Sequence, residues 1–210
     1  MSLVTTIERR APRDKQPIFV SRYFDSQIDG MAVTVLPAQH AISASPDEVL
    51  VTVLGSCVAA CIHDPVMNLG GMNHFMLPGE AMSNWSDANR EMRYGHTAME
   101  KLINDLLSRG CRKERFAIKL FGGASVIQSP IPVGEQNIIF VRRYLRDEGL
   151  SIMAEDLGGF HARRIYFRAS AGKVDRLLLK RQEDETIFTN ELSLRQTLRQ
   201  ADMSGSVELF

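Results

Sequence analysis

The sequence predicts a mixed α/β protein with more strand than helix, and three observations carry that reading. Short runs rich in β-formers, MAVTVL at 31–36, VLVTVL at 49–54 and FAIKLF at 116–121, alternate or are continuously apolar, and each stops at Pro or Gly. Only two segments show helical spacing. In 94–109 the apolar residues Ala98, Leu102, Ile103, Leu106 and Leu107 share one helical face, with Gly110 at the C-cap position. The second helix covers 137–145. Short apolar runs then return at 151–154, 165–167 and 177–179, the last two around the turn Ala171-Gly172-Lys173.

Residues 1–30 are polar and lack a periodic apolar pattern, so they read as an irregular arm, with Ile18-Phe19-Val20 and Tyr23-Phe24 able to dock on a core. The run CVAACI at 57–62 fits either a short strand or a buried helical turn, broken by His63-Asp64-Pro65. Gly70-Gly71 opens the segment MNHFML, which Pro78-Gly79 closes, and 80–90 reads as a polar loop carrying Trp85. The last 25 or so residues are rich in Gln, Glu, Arg and Thr and read as a tail. The expected organisation is an arm over 1–30, one domain over 31–182 and a tail over 183–210. There is no internal repeat.

A chain of this length buries roughly 70% of the surface that its unfolded form exposes, so it needs no covalent staples. Lys+Arg and Asp+Glu both number 25, which leaves no net charge and no nucleic-acid or polybasic membrane footprint. Three cysteines make an odd, sparse set, unlike a secreted disulfide framework. No apolar run is long enough for a signal-peptide core or a spanning helix. The expectation is a cytoplasmic protein with free thiols and no membrane insertion.

Cys57 follows Gly55-Ser56 at the end of a strand. Such a turn can expose the sulfur beside backbone N–H groups that favour a thiolate and later an oxyanion. The bland alternative is a buried cysteine acting as a small hydrophobe. His74 lies seventeen residues downstream in GGMNHFMLP and offers an imidazole able to take a thiol proton at neutral pH. It reads equally as a core histidine. Cys57, Cys61, His63 and His74 together form a candidate zinc set, but if CVAACI is a strand, Cys57 and Cys61 stand about 13 Å apart, too far for one ion. The glycine pairs at 122–123 and 158–159 lack a phosphate-loop pattern, and Ser56 and Ser125 lack a G-x-S-x-G context. Met72, Met76 and Met82 read as core or as an adaptable contact surface.

Several runs in fixed order resemble the CheD family of chemoreceptor glutamine deamidases. They are TVLGSCVA at 52–59, GGMNHFMLP at 70–78, Arg93-Tyr94-Gly95, KLFGGA at 119–124, EDLGG at 155–159 with Arg163-Arg164, and Gly172-Lys173-Val174. The resemblance covers most of the chain from about residue 33 to 180. It implies a β-sandwich flanked by helices, similar to the deamidating cytotoxic necrotizing factor domain, and a Cys–His–Thr arrangement. Cys57 and His74 fall on the motif nucleophile and base. Thr52 is the matching threonine, with Val51 in its place if the register moves by one. The resemblance further implies a glutamine on a chemoreceptor cytoplasmic helix as substrate, no metal or organic cofactor, and a CheC-type phosphatase as a further partner. The alternatives are a binding module acting through that phosphatase and a zinc-stabilised interaction domain. For the substrate groove, the candidates are 83–90 with Trp85, and Met72 with Met76.

Overall fold

The computed structural model describes residues 21–26, 28–77, 85–125, 132–179 and 193, with the backbone alone over 85–93. Among the described residues ten strands form two sheets. The first holds β1 (Arg22–Asp25), β2 (Gly30–Thr34), β4 (Glu48–Leu54), β9 (Arg163–Arg168) and β10 (Lys173–Leu178), in that spatial order. The second runs β3 (His40–Ser43), β6 (Leu69–Asn73), β5 (Val58–Asp64), β7 (Ala117–Gly122) and β8 (Ile152–Leu157). Helix α1 (Trp85–Ser108) packs on β3 and β6, and α2 (Val133–Asp147) on β5. β7, α2 and β8 form a crossover unit, the helix allowing two parallel strands to pair.

Strand alternation decides what each residue faces. Leu50 and Leu54 of β4, Val33, Val35, Ile165 and Phe167 meet Cys57, Ala59, Cys61, Met72 and Met76 in one core between the sheets. Val58, Ala60 and Ile62 point the other way, onto Met99, Leu102 and Leu106 of α1 and Phe140, Val141 and Tyr144 of α2. β5 is thus buried on both faces, which is why its sequence is a continuous apolar run rather than an alternating one. The mixed, strand-rich class holds.

Several boundaries differ from the sequence reading. The run at 57–62 is a strand, and it continues through His63 and Asp64 because both find buried partners. Gly70 and Gly71 lie inside β6 rather than before it. A Cβ on Gly70 would sit 2.6 Å from the Ala169 carbonyl, and one on Gly71 2.6 Å from Leu102 of α1, so close approach requires both glycines. α1 starts at Trp85, so 85–90 is helix and not loop. That stretch has no Gly or Pro, and its polar residues carry no signal that distinguishes a loop from a solvated helix. α2 starts four residues earlier than the expected 137. Within the stretch read as an irregular arm, Arg22–Asp25 form β1 against β2, an edge pairing with little apolar pattern. β3 is an equally short addition. Ile18-Phe19-Val20 and the tail lie outside the described residues, Ser193 excepted.

Both helices end the same way. In α1 the N–H of Gly110 donates to Leu107 and that of Cys111 to Leu106; in α2 Gly149 donates to Arg146 and Leu150 to Leu145. These paired bonds satisfy the last carbonyls of each helix.

The end of β5 holds a buried carboxylate paired with a partly exposed guanidinium, and the pair makes a pH prediction. Desolvation acts to raise the Asp64 carboxyl, but the Arg115 guanidinium and the N–H groups of Arg112, Val66 and Met67 outweigh it and hold the group at about 2. Folding therefore favours the carboxylate. Its contribution is complete above the ordinary value of 3.8 and is lost as pH falls from there through about 2. Asp64→Asn should be destabilised at pH 7 by up to about 2 kcal/mol, with the gap to wild type closing between pH 4 and 2. Urea unfolding at several pH values measures this, and a gap independent of pH would contradict it.

Candidate active site

The chain crosses from one sheet to the other through Gly55, Ser56 and Cys57. β4 ends at Leu54 in the first sheet and β5 begins at Val58 in the second. Stacked sheets lie about 10 Å apart, a distance that three extended residues span. Cys57 is wholly buried at this crossing. It does not sit at an exposed turn, as the Gly-Ser step suggested, because the end of β7 closes over it.

That closure depends on the glycine pair. The Gly55 carbonyl accepts the Ala124 N–H at 2.8 Å, and the Cys57 carbonyl accepts the Gly123 N–H at 2.7 Å. Gly122 has φ +109°, and a Cβ there would lie 2.1 Å from the Cys57 carbonyl oxygen. Only glycine permits the contact. The β8–β9 loop supports this end of β7 in turn. Gly158 donates to the Gly122 carbonyl and Ser125 to that of Gly159, both at 2.8 Å. Arg163, also buried, holds the loop through the Asp156 carboxylate at 2.9 Å and the Gly158 carbonyl. Both glycine motifs therefore brace the cysteine turn.

His74 follows β6 and faces the same side as Cys57. Val58 and Phe75 form a direct bridge, exchanging N–H···O bonds of 3.0 and 2.9 Å. In that register Cys57 stands opposite Met76, and His74 opposite Ala59. Cys57 and His74 are thus diagonal neighbours on one face, about 7–8 Å apart at the backbone, which an imidazole can bridge. The sequence reading placed them at the ends of neighbouring segments, and the register agrees.

Thr52 comes from the opposite sheet. It shares the inward face of β4 with Leu50 and Leu54, whereas Val51 packs on the outer side with Ala32 and Tyr166. Of the two residues, it is Thr52 that faces His74. Its Oγ1 lies 2.8 Å from His74 Nδ1 and donates to the Val35 carbonyl at 2.8 Å. A hydroxyl has one hydrogen. With that hydrogen on Val35, the short contact to the ring requires His74 Nδ1–H to donate to Thr52. The ring's basic lone pair is then on Nε2. All three side chains are buried.

The zinc set does not assemble. With β5 a strand, Cys57 and Cys61 are separated by about 13 Å, and His63 Nδ1 bonds the Ala169 carbonyl at 2.9 Å on the far side of the strand's length. Among the described residues no group of three or more metal-binding side chains occurs.

A cavity of about 470 Å³ reaches Thr52 and His74 from the outer face of the first sheet. Its lining mixes outward residues (Tyr23, Leu36, Val53, Arg164) with inward ones. β2 stops at Thr34 and Pro37 turns the chain away, so at Thr52 and Val53 β4 lacks a strand neighbour on the β2 side, while β9 still pairs it on the other. Cys57 does not line it. Met72 and Met76 are buried between the sheets and are not a contact surface; the Trp85 side chain and residue 83 lie outside what is described.

Sequence reasoning missed Asn137. It projects from α2 to accept the Leu77 N–H at 2.8 Å and donate to the Ser56 carbonyl at 2.8 Å. A signal existed. Positions 133, 137, 140, 141, 144 and 145 make the buried face of α2, and a lone asparagine among apolar residues there needs a polar partner.

Comparison with known proteins shows the family. A probable chemoreceptor glutamine deamidase CheD from Rhodopseudomonas palustris is 46% identical over 95% of this chain and 94% of its own length. The chain belongs to the CheD family. CheD relatives of the same description from Laribacter hongkongensis and Xanthomonas euvesicatoria are 42% and 43% identical, over 90% and 91% of this chain and 92% and 95% of theirs. The family model described as CheD chemotactic sensory transduction matches residues 76–176. That stretch begins after the three site residues, so it is the long CheD alignments that extend the kinship across most of the chain. The solved structure of the Bacillus licheniformis hypothetical protein YfiH has a TM-score of 0.38 at 14% identity, covering 55% of this chain and 49% of that one. So loose a likeness supports no argument.

Proposed function

We propose that this chain deamidates selected glutamine side chains of chemoreceptors to glutamate, with Cys57 as nucleophile, His74 as base and Thr52 as the residue orienting the base. The observation that carries the reading is the Thr52–His74 contact, which fixes the tautomer. A histidine serving only as core filler does not require its tautomer set by a hydroxyl that is itself anchored. In the cysteine hydrolases this role falls to the third member of the triad.

His74 Nε2 takes the thiol proton as Cys57 Sγ attacks the carboxamide carbon, giving a tetrahedral oxyanion held by backbone N–H groups of the 55–57 turn. The oxyanion collapses, the C–N bond breaks, and the imidazolium proton leaves with ammonia. A water then attacks the thioester as His74 takes its proton. The C–S bond breaks, the proton returns to sulfur, and a carboxylate departs. The sum is one amide and one water giving one acid and one ammonia. No cofactor enters these steps.

The family supplies the substrate class: its members are described as probable chemoreceptor glutamine deamidases. We assign the same class here, and with it a cytoplasmic site of action on receptor helices. No helix among the described residues is long and apolar enough to cross a membrane. We further assign the catalytic domain to residues 31–182 with β1 added, and a sandwich similar to the deamidating cytotoxic necrotizing factor domain. A binding role toward a CheC-type phosphatase is compatible with the same surface, and the Thr52–His74 arrangement favours catalysis as the primary activity.

The test compares a receptor cytoplasmic fragment, the same fragment with its helix scrambled, and free glutamine at matched concentrations. Peptide mapping should find amide-to-acid conversion at particular glutamines of the intact fragment only, because positioning the carboxamide draws on contacts made by the surrounding helix. Comparable turnover of all three would replace this reading with a general small-amide hydrolase. No turnover of any would remove deamidation.

A further inference from the structure

We infer that Asn137 is a positioning residue for the nucleophile, acting as a wedge in the strand ladder beside Cys57; the inference rests on the deamidase reading above. The register makes the case. Val58 opposes Phe75, so two residues further along Ser56 opposes Leu77, and an undisturbed antiparallel ladder would have the Leu77 N–H donate directly to the Ser56 carbonyl. It does not. The Leu77 N–H donates to Asn137 Oδ1, and Asn137 Nδ2 donates to the Ser56 carbonyl, each at 2.8 Å. A side-chain carboxamide is inserted where one backbone bond belongs, and the two segments stand apart by its width.

On the other side of the bridge an asparagine takes one ladder bond without parting the strands. Ala60 opposes Asn73, and the Ala60 N–H donates at 2.8 Å to Asn73 Oδ1, while Asn73 Nδ2 donates to the Ala98 carbonyl of α1 at 3.2 Å. Val58–Phe75 is therefore a direct bridge with the Asn137 wedge on one side and the ladder of β5 and β6 on the other. Cys57 lies between the bridge and the Asn137 gap; His74 lies between the bridge and Asn73. Each member of the pair is held on one side by the bridge and on the other by an amide from helix or strand. Asn137 is wholly buried and both ends of its carboxamide are engaged, so neither end can shift without breaking a bond. The consequence is functional. The separation of the two segments at residues 56 and 77 sets where the sulfur stands relative to the imidazole, and α2 controls it.

Asn137→Asp keeps the shape and the acceptor for Leu77 but replaces the donor to Ser56 with a second acceptor; Asn137→Ala removes the wedge. Both should lower kcat on a receptor fragment by about 100-fold, the effect of a small misplacement at a reacting centre, with KM near wild type. A filler role alone would not touch the pairing of Cys57 with His74. The deciding readout is therefore the pH dependence of Cys57 alkylation by iodoacetamide, followed by peptide mass. It should move in both variants toward the profile of His74→Ala, while circular dichroism remains that of wild type. Asn137→Gln, which restores a carboxamide, should recover part of the neutral-pH reactivity. An unchanged alkylation profile in folded Asn137→Asp or Asn137→Ala overturns the inference, whatever happens to turnover. Failure of all three variants to fold overturns it too, by making Asn137 a stability residue. Alkylation needs no receptor, so this outcome is read separately from whether the protein deamidates receptors at all.

Discussion

Cys57→Ala should abolish ammonia release from a receptor fragment while leaving the fold intact. Losing the nucleophile removes the covalent route altogether, and in enzymes whose residues act as a unit such a loss costs on the order of 10⁴-fold or more in kcat. Fold retention is expected because the change deletes one sulfur at a position held by its backbone: the Gly55 and Cys57 carbonyls are bonded to Ala124 and Gly123 whatever the side chain is. The other two thiols are the internal control. Burial pushes the Cys61 thiol far up, against the smaller opposing pull of Lys119, so that it stays protonated. Burial also raises Cys111, and the Asp64 carboxylate beside it adds to the effect. Neither is a nucleophile at neutral pH. Cys61→Ala and Cys111→Ala should keep most of the activity. Measured ammonia release from all three variants, with melting curves alongside, decides the matter. A folded and active Cys57→Ala protein would end the thioester mechanism.

His74→Ala should lower kcat by about 10²- to 10⁴-fold, the usual worth of a positioned general base. The chemical signature is sharper than the rate. Without its base, the cysteine has no partner to take its proton, so alkylation by iodoacetamide at pH 7 should slow and recover only as the pH rises. Thr52 variants test the tautomer argument at one remove. Thr52→Val keeps the volume but has no oxygen for His74 Nδ1–H, which lets the ring rotate or exchange its proton between nitrogens; turnover should fall without vanishing. Thr52→Ser, which keeps both the acceptor and the donor to Val35, should be partly spared. Alkylation rates equal to wild type in His74→Ala would reduce the histidine to a structural part. Full activity in Thr52→Val would mean that something other than this hydroxyl orients the ring.

Cys57 and His74 stood out in the sequence as candidates, and the reason is local. Gly55-Ser56 before Cys57, and His74 after a glycine-rich apolar run, are short-range patterns that survive in a one-dimensional reading. The fold class was legible for the same reason, since strand alternation and helical spacing are periodicities of the chain itself. What failed were features whose signal lies elsewhere. β1 and β3 are four residues each and gain their conformation from β2 and β6, so their own side chains say little. The first turns of α1 offer only Trp85, Ala88 and Met92 at helical spacing among polar residues. Asn137 looked like any helix-starting polar residue, because nothing in its neighbourhood tells of the Ser56 carbonyl 81 positions away.

The sequence alone determined the mixed, strand-rich class, the absence of net charge, and a shortlist of candidates in Cys57, His74 and Thr52. It could do so because period, turn chemistry and residue type are properties of neighbours along the chain. Only the tertiary structure decided that Thr52 meets His74 across the two sheets, that the threonine hydrogen goes to Val35 and so places the imidazole proton on Nδ1, and that Cys57 is buried rather than exposed. It also decided that Asn137 stands between the segments at Ser56 and Leu77, next to Cys57. Each of these is a relation between residues far apart in sequence, set by strand register and sheet packing, and register is a property of pairs of strands that no single segment contains.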